Sequence, residues 1–300
     1  MDISIIIINY KTINLVVDCI RSIKKYTDGL TYEIIVVDNN SGDECEKKFS
    51  EEFGENNNII YAGLPENIGF GQANNVGIKL AKGRNIFFLN PDTKLLNNAI
   101  KILSYYLDTH QNVGVCGGNL YDEQVQPALS YMTFLPSITH ELDELTHGFL
   151  SRKKHGINIR FNHTGHILPV GYITGADMMI KRNIINEIGG FSPAFFMYYE
   201  ETELSYRIKK AGYQICSVPD AKIQHLEGKS FKCGKMNKKR IYLSEQSRYT
   251  YYRLHYSLFY RMVANFIYGS FLISRYAIFK LTKNSKASSF KCRLSFFQIV

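Results

Sequence analysis

In residues 83–96, GRNIFFLNPDTKLL, an apolar run ends abruptly on polar residues. The run at residues 86–89 has the length and composition of a buried strand. It stops at Asn90, Pro91 and Asp92, after which the chain becomes apolar again. Asn-Pro and Pro-Asp pairs are common in turns, so one interpretation is a turn alone. The other is that the strand delivers a carboxylate to a ligand.

Outward from this stretch, short apolar runs alternate with segments of helical period over the first 120 residues. We predict strands at residues 4–10, 32–38, 58–63, 85–90 and 113–118. We predict helices at residues 13–26, 43–53, 71–82 and 97–108. Continuously apolar strands separated by helices are typical of a parallel sheet covered on both faces. The pattern therefore predicts an α/β, doubly wound layout.

The alternation is lost at residues 121–167, where we predict an excursion of loops with a short helix. A strand-like pair returns at residues 168–182. Beyond it, Glu203, Leu204, Arg207 and Ile208 have the spacing of a helix that stops at Gly212.

The charge is unevenly distributed along the chain, whose net charge is +9. Residues 228–300 contain fifteen Lys and Arg and one acid, Glu245, so this region carries +14 and the remainder −5. Such asymmetry indicates a polyanionic partner surface, either nucleic acid or anionic lipid.

The cysteines and the N-terminus indicate a reducing, cytoplasmic location. None of the six cysteines forms a CxxC pair, which predicts a reducing compartment and no zinc site. Cys19 and Cys116 lie in apolar patterns and are predicted to be buried thiols. The apolar run at the N-terminus has no basic leader and is interpreted as a first strand.

Four of the predicted strands end on polar residues. The endings are Asn9-Tyr10-Lys11, Asp38-Asn39-Asn40-Ser41, PENIGFGQANNVG at residues 65–77, and Asn90-Pro91-Asp92. Ligands of open α/β sheets bind beyond the carboxyl ends of the strands, so four polar ends favour a binding site over turn chemistry alone. The turn after the first strand, NYKTIN, has no glycine, and no P-loop motif occurs. Dinucleotide and P-loop sites are therefore disfavoured.

A nucleotide diphosphate fits these ends if a cation separates the charges. The base and ribose can lie across the first two strand ends, where Asp38 accepts from a base N–H or a ribose hydroxyl. The diphosphate then faces Asp92, and the two anions repel. A divalent cation, Mg²⁺ or Mn²⁺, resolves this conflict because such ions are held by one or two carboxylates plus phosphate oxygens. Asn90 offers a neutral oxygen beside Asp92.

Five segments occur in order along the chain: SIIIINY, IIVVDNNSGD, ENIGFGQANNVGIKLAKG, FFLNPDT and GGFSPAFFMYYEETELSYRIKKAGY. They resemble family 2 inverting glycosyltransferases of the GT-A fold, and most closely the rhamnosyltransferase-like branch that builds bacterial surface polysaccharides. The resemblance implies a catalytic domain at residues 1–230, with a nucleotide-binding half at 1–120 and an acceptor and catalytic half at 165–230. Its sheet is expected to be mixed and mostly parallel, with helices on both faces. A basic, partly amphipathic helical region follows at 231–300.

The resemblance also implies roles for individual residues. Those implied for the nucleotide base and ribose are Asn9, Tyr10 and Asp38. Those implied for the nucleotide-sugar pocket are Asn67, Gly69 and Asn74. Asn90-Pro91-Asp92 occupies the DxD position, with Asp92 the metal ligand and Asn90 in place of the first aspartate. In IQHLEGKS, residues 223–230, His225 can complete the metal site and the following loop can close over the diphosphate.

An acidic pair, Glu200-Glu201, stands at the catalytic position of that family. In an inverting transfer the acceptor hydroxyl loses its proton as it attacks, and a carboxylate serves as general base. Glu201 matches the catalytic aspartate but is one methylene longer, so Glu200 remains an alternative base. A solvated acidic helix start is the structural alternative. The resemblance implies a small or sulfur residue where this chain has Asp177, which touches either an acceptor hydroxyl or solvent only.

The basic tail has an apolar core at residues 261–283, whose longest uncharged stretch has 13 residues. That is short of the ~20 needed to span a bilayer. Aromatic residues with flanking Lys and Arg are typical of a helix lying on an anionic membrane, here the inner face of the cell membrane. The alternative is a helix packed on the catalytic domain or on a second subunit, as in a homo-oligomer. Nucleic acid is disfavoured because the basic residues accompany buried-type side chains.

Three functional hypotheses follow. The leading one is a metal-dependent inverting hexosyltransferase in bacterial surface polysaccharide synthesis, acting on a glycan or lipid-linked acceptor, with dTDP-rhamnose as the donor by resemblance alone. A sugar-nucleotide nucleotidyltransferase has a similar sheet but needs a glycine-rich basic loop that NYKTIN lacks. A catalytically inactive GT-A domain serving as a membrane scaffold is the third, since Asn90 and Glu201 depart from the family pattern.

Overall fold

The computed structural model describes residues 1–42, 44–54, 56–226 and 238–297. Within these ranges the main sheet has nine strands. Those strands are β1 (Ile3–Asn9), β2 (Tyr32–Asp38), β3 (Ile59–Gly63), β4 (Asn85–Leu89), β5 (Thr93–Leu95), β6 (Val113–Tyr121), β8 (Leu168–Pro169), β10 (Asp177–Lys181) and β11 (Gln214–His225). A separate pair consists of β7 (Tyr131–Met132) and β9 (Tyr172–Ile173).

The sheet is mixed and mostly parallel. Its order is β3-β2-β1-β4-β10-β6-β11-β5, with β8 pairing β11. Strands β1 to β4 are parallel to one another, as are β6 and β11. Strand β10 runs antiparallel between β4 and β6. The predicted mixed sheet is confirmed, and the carboxyl ends of β1 to β4, β6 and β11, which run in one direction, lie along one edge.

Helices cover both faces of the sheet. They are α1 (Ile13–Tyr26), α2 (Cys45–Phe53), α3 (Phe70–Leu80), α4 (Ala99–Thr109), α5 (Ile138–Leu145), α6 (Phe149–His155), α7 (Arg182–Ile188), α8 (Glu200–Lys210), α9 (Lys238–His255), α10 (Leu258–Leu281) and α11 (Ala287–Phe296). Alternate residues of β1 enter different cores: Ile5 packs with α1, α2 and α4, whereas Ile6 packs with α3, α7 and α8. This alternation is the period of two expected for a strand buried on both faces.

The C-terminal helices pack on the rest of the protein through buried polar contacts. Arg248 of α9 donates to Glu141 of α5 at 2.7 Å and to Asn265 of α10 at 2.9 Å. Its guanidinium lies 3.8 Å from the ring centre of Tyr268. Arg275 of α10 donates to the last backbone carbonyls of α5, which lack partners within their own helix. These helices are therefore attached to the excursion at residues 121–167.

Helix α10 has two different faces. Its inner face packs on α5 and α11, whereas Phe259 and Phe266 on the outer face are 77% and 76% exposed. Within the described ranges, α10 is the one helix long and apolar enough to cross a membrane by length and composition. The prediction from the 13-residue uncharged stretch underestimated this length, because scattered cations interrupt the run without ending the helix.

The predicted buried thiols are confirmed. Cys19 and Cys116 are fully buried and unpaired, and burial raises the pKa of Cys19 to about 12. Cys233, the loop at residues 228–230 and the proposed boundary at residue 230 lie outside the described residues.

Candidate active site

The ends of β1 and β2 form a buried polar cluster. Parallel register places Asn9 beside Asp38. The side-chain amide of Asn9 donates to Asp38 Oδ1 and to Ser41 Oγ, both at 2.7 Å, and Ser41 Oγ donates to the same Asp38 oxygen. Asn9 is completely buried, so it holds the Asp38 carboxylate in place at the sheet edge.

Tyr10 and Lys11 present an aromatic ring and a cation just beyond this cluster. Tyr10 is 44% exposed, and the Lys11 ammonium lies 5.3 Å from its ring centre. Lys11 has a left-handed φ of 61°, and its backbone N–H donates to Ser41 Oγ at 3.0 Å. The Tyr10 ring is accessible for stacking on a planar base.

Asn39 joins the end of β2 to the loop after β3. Its amide nitrogen donates to Asn67 Oδ1 at 3.0 Å, and its Oδ1 accepts from the backbone N–H of Ile68 at 3.0 Å. Asn67 Oδ1 also accepts from the backbone N–H of Gly69 at 3.0 Å. Asn67 therefore shapes this loop from within.

Gly69 lies where the loop after β3 touches the segment before α8. Its backbone, at φ 86° and ψ 165°, is in a region that essentially only glycine adopts. A Cβ there would lie 2.4 Å from the carbonyl oxygen of Phe196. That carbonyl accepts from the backbone N–H of Phe70 at 3.0 Å. The sequence places Gly69 here because both the conformation and the close approach exclude a side chain.

Asn74 stands inside the first turns of α3. It is almost completely buried, and its amide donates to the backbone carbonyl of Phe70 at 3.0 Å. Asn74 therefore ties α3 to its own first turn, and its place in the nucleotide-sugar pocket stays a prediction.

Asn90 and Asp92 form the turn after β4. The Asn90 backbone N–H donates to the carbonyl of Ala176 at 3.0 Å, and its carbonyl accepts from the Thr93 hydroxyl at 2.7 Å. Asp92 Oδ1 lies 3.3 Å from His225 Nε2. The pairing of β5 with β11 brings them together, since Thr93 is in register with His225. The turn interpretation therefore describes this segment, and the binding of a ligand by Asp92 stays a prediction.

Asp92 and His225 offer two donors suited to a divalent cation. Both side chains are largely buried, and His225 Nδ1 has no hydrogen-bond partner among the described residues. Among the residues that the structure describes, no three or more His, Cys, Asp or Glu side chains lie close enough together to hold a metal ion. A cation bound here would complete its coordination with phosphate oxygens and water, as Mg²⁺ commonly does.

Glu200 and Glu201 begin α8 and have different surroundings. Glu200 is buried against the start of α3, where a Cβ on Gly71 would lie 3.3 Å from Glu200 Cβ. Burial, and then the neighbouring Glu201 charge, raise the pKa of Glu200 well above its usual range. Glu201 is less buried, and desolvation raises its pKa as well. Glu201 therefore has the better access to a substrate.

The strand order brings Glu201 close to the turn after β4. Its side chain packs on Gly175, where an added Cβ would lie 3.7 Å from Glu201 Cγ. The next residue, Ala176, accepts the hydrogen bond from Asn90. The solvated-helix alternative does not describe Glu200, because the carboxyl oxygen Oε2 is buried without a partner in the described ranges.

Asp177 is wholly buried in β10, so contact with solvent only is wrong. Its Oδ2 accepts from the backbone N–H of Gly118 at 2.6 Å. Burial raises the pKa of this carboxyl well above its usual range.

Three side chains that build the site were not among the predicted site residues. They are Asn39, Ser41 and Thr93. All three lie within or directly after polar strand ends, which is the signal that could have identified them.

The order of the strands and the polar residues at one sheet edge define a protein of the GT-A class. The sequence profile of the family "Glycosyl transferase family 2" matches residues 4–201. The chain therefore belongs to glycosyltransferase family 2, as the motifs predicted.

Two curated relatives resemble most of the chain. The low-salt glycan biosynthesis hexosyltransferase Agl10 of Haloferax volcanii is 28% identical over 73% of this chain and 66% of its own length. The dTDP-rhamnosyl transferase RfbF of Shigella flexneri is 26% identical over 67% of this chain and 62% of its own. The chain thus matches two thirds or less of the length of these relatives.

Solved structures share the fold at low sequence identity. GalNAc-T7 with UDP, GalNAc and Mn²⁺ has a TM-score of 0.64 and 15% identity over 99% of this chain and 54% of its own. The mannosyltransferase PcManGT of Pyrobaculum calidifontis, with GDP-Man and Mn²⁺, has a TM-score of 0.60 and 12% identity over 98% of this chain and 83% of its own. The GT-A fold is therefore confirmed.

Proposed function

We propose that this protein transfers a sugar from a nucleotide-diphosphate donor to an acceptor hydroxyl with inversion at the anomeric carbon. The observation that carries the proposal is that Glu201, at the start of α8, packs on the segment that holds the turn of Asn90 and Asp92. The side chain proposed as proton acceptor thus lies close to the turn proposed to bind the diphosphate, in a family 2 chain.

The donor lies across the ends of β1, β2 and β4 in this proposal. Tyr10 stacks on the base, and Asp38, held by Asn9, accepts a hydrogen bond from the base or the ribose. Asn67 and Gly69 form the adjacent wall. The relative described as a dTDP-rhamnosyl transferase supports dTDP-rhamnose as the first donor to test.

A divalent cation, Mg²⁺ or Mn²⁺, would be held by Asp92 and His225, with Asn90 beside them. When bound, it would neutralise charge on the diphosphate leaving group. Two neighbours of the same fold were solved with Mn²⁺, which supports this part of the proposal.

Glu201 acts as the general base and Glu200 stays neutral. The acceptor hydroxyl gives its proton to Glu201 as its oxygen attacks the anomeric carbon, a role worth on the order of 10²–10⁴ in rate. Glu200 is poorly suited to this role because it is buried against the start of α3, and this burial raises its pKa well above the usual range. A neutral Glu200 also avoids a second charge beside Glu201.

The decisive experiment combines binding with turnover. Calorimetry with dTDP, UDP and GDP, with and without Mn²⁺, measures donor binding. Hydrolysis or transfer from dTDP-rhamnose, UDP-GlcNAc and GDP-mannose measures turnover. We expect metal-dependent binding, and loss of turnover with retained binding in Glu201→Gln. If Glu200→Gln removes turnover instead, the assignment of Glu201 as general base is wrong. If the protein binds nucleotides but turns over none of the donors with any acceptor, the alternative of a catalytically inactive GT-A scaffold is favoured.

We further propose that α10 rests on an anionic membrane, where a lipid-linked acceptor would be presented. Its inner face is occupied by α5, while Phe259 and Phe266 face outward in a strongly basic region. The full chain should sediment with phosphatidylglycerol vesicles and not with phosphatidylcholine vesicles. Phe259→Ser with Phe266→Ser should reduce this binding, whereas Tyr105→Ser, 70% exposed on α4, should not. Equal binding of both variants would contradict the proposal.

A further inference from the structure

The two residues before the acidic pair have an unusual backbone. Tyr198 and Tyr199 have φ values of 70° and 68°, in a left-handed region that is strained for residues with a Cβ. Two such residues in succession persist only when surrounding contacts over-determine them. They set the direction in which α8 begins, and so the direction of Glu201.

Helix α9 supplies contacts that hold this segment. Ser247 Oγ donates to the backbone carbonyl of Met197 at 2.9 Å. The Tyr251 ring packs against the Tyr199 ring with centres 5.7 Å apart, and Tyr251 is fully buried. The guanidinium of Arg240 lies 5.7 Å from the ring centre of Tyr198. Each residue from 197 to 199 thus meets a different part of α9.

The same helix also contacts α8 itself. His255 Nε2 lies 3.3 Å from Glu203 Oε1, and its ring lies 4.1 Å from that of Tyr206. Glu203 is one turn beyond Glu200 and is also bound by Arg207 at 2.9 Å. Helix α9 therefore fixes both the segment before α8 and the first turns of α8.

We propose that α9, which lies beyond the residues matched by the family profile, is a positioning element of the active site. Ser247 and Tyr251 are its positioning residues, and they act by holding the segment at residues 197–199 so that the Glu201 carboxylate points at the acceptor. This inference rests on the proposed function of Glu201 as general base. If α9 had only a structural role, substitutions in it would lower stability, but they would not lower kcat while leaving nucleoside diphosphate binding unchanged.

The test compares variants of the full chain. Tyr251→Leu removes the ring, Tyr251→Phe retains it, and Ser247→Ala removes one hydrogen bond. The matched control is Glu245→Ala, because Glu245 is a buried residue of α9 that bonds Tyr268 of α10 and Arg293 of α11 instead. The measurements are turnover of whichever nucleotide-sugar the unmodified chain cleaves, and calorimetric binding of the corresponding nucleoside diphosphate with Mn²⁺.

We expect Tyr251→Leu to lower kcat by about 10²-fold, the loss typical of a catalytic group misplaced by 1 Å. Nucleoside diphosphate binding should be unchanged, Tyr251→Phe should restore kcat, and Ser247→Ala should have a smaller effect in the same direction. Glu245→Ala should lower thermal stability without this loss of kcat. If Tyr251→Leu does not fold, Ser247→Ala decides alone.

The inference is overturned if kcat per folded molecule is retained in Ser247→Ala and Tyr251→Leu, or falls equally in Glu245→Ala. That outcome differs from failure of the proposed function, in which Glu201→Gln itself retains turnover.

Discussion

Replacing Gly69 by alanine tests whether the loop after β3 and the segment before α8 act together. Gly189 provides a matched control, since its φ of 83° and ψ of 166° nearly equal the 86° and 165° of Gly69. An added Cβ at Gly189 would meet its nearest atom at 3.9 Å, an ordinary contact, against 2.4 Å at Gly69. The pair therefore separates backbone strain from steric overlap.

The backbone cost should be similar in both variants, about 1–3 kcal/mol for a residue in this region. Gly69→Ala also requires the Phe196 carbonyl to retreat by roughly 1 Å to reach an ordinary contact, which disrupts its hydrogen bond from Phe70. Phe196 precedes Glu200 by four residues, so we expect this shift to reach the proposed catalytic pair, Glu200 and Glu201. A displacement of that size typically costs about 10²-fold in rate, equivalent to about 2.7 kcal/mol.

Thermal unfolding and nucleotide-sugar turnover, normalised to folded protein, measure the two effects. Both variants should lose thermal stability, but only Gly69→Ala should also lose turnover by about 10²-fold. Equal turnover in the two variants would refute the reasoning, because it would mean that the contact with Phe196 does not position the catalytic residues.

Three further predictions concern the charged groups. Asp92→Asn should abolish the effect of Mn²⁺ on dTDP binding by calorimetry, and an unchanged metal effect would exclude Asp92 as a ligand. The raised pKa of Glu200 means that its contribution to stability is complete below about pH 4.5 and is lost as pH rises through that raised pKa. Glu200→Gln should therefore raise the melting temperature at pH 8 but not at pH 4; a uniform change would contradict this. Arg248→Met should lower the free energy of unfolding by about 3–5 kcal/mol, because it leaves Glu141 charged and buried. Arg84→Met, which removes the largely exposed ion pair with Asp108, should lower the free energy of unfolding by under about 1 kcal/mol. Urea denaturation of both variants measures the two free energies.

The N-terminal half of the sheet, from β1 to β4, was predictable because its local sequence pattern agrees with its fold. The predicted limits of β2 and α1 match those observed, since apolar runs and helical periods there end at clear polar residues. The antiparallel direction of β10 was not readable, because a strand buried on both faces has the same composition in either direction.

Strand β11 was missed for a different reason. It contains Pro219 and Asp220, which are typical of turns. The structure accommodates them where the pairing with β6 shifts register, between Ser217 and Lys222. His225, at the end of this strand, reaches Asp92 only because of that long pairing.

The candidate site was predictable as a set of strand ends, but not in the role of each side chain. Asn9 and Asn74 were expected to line the ligand site; both side chains are buried and bond to neighbouring protein groups, and their contact with a ligand stays a prediction. Which polar residue points inward depends on tertiary contacts that spacing does not encode. Likewise, the basic composition of the tail did not reveal that Arg248 and Arg275 are buried.

Three hydrogen bonds connect α3 to the segment before α8: the Phe70 N–H donates to the Phe196 carbonyl, and Asn75 and Phe191 exchange two bonds of 2.8 Å. These bonds join the loop after β3 and helix α3, proposed to form the wall of the sugar pocket, to the segment that leads into α8 and the proposed general base Glu201. Opening this side of the cleft would move Glu201 together with the wall. Under the proposed function we therefore expect the donor to enter on the opposite side, around Tyr10 and Lys11, which would leave the geometry between the sugar and Glu201 unchanged.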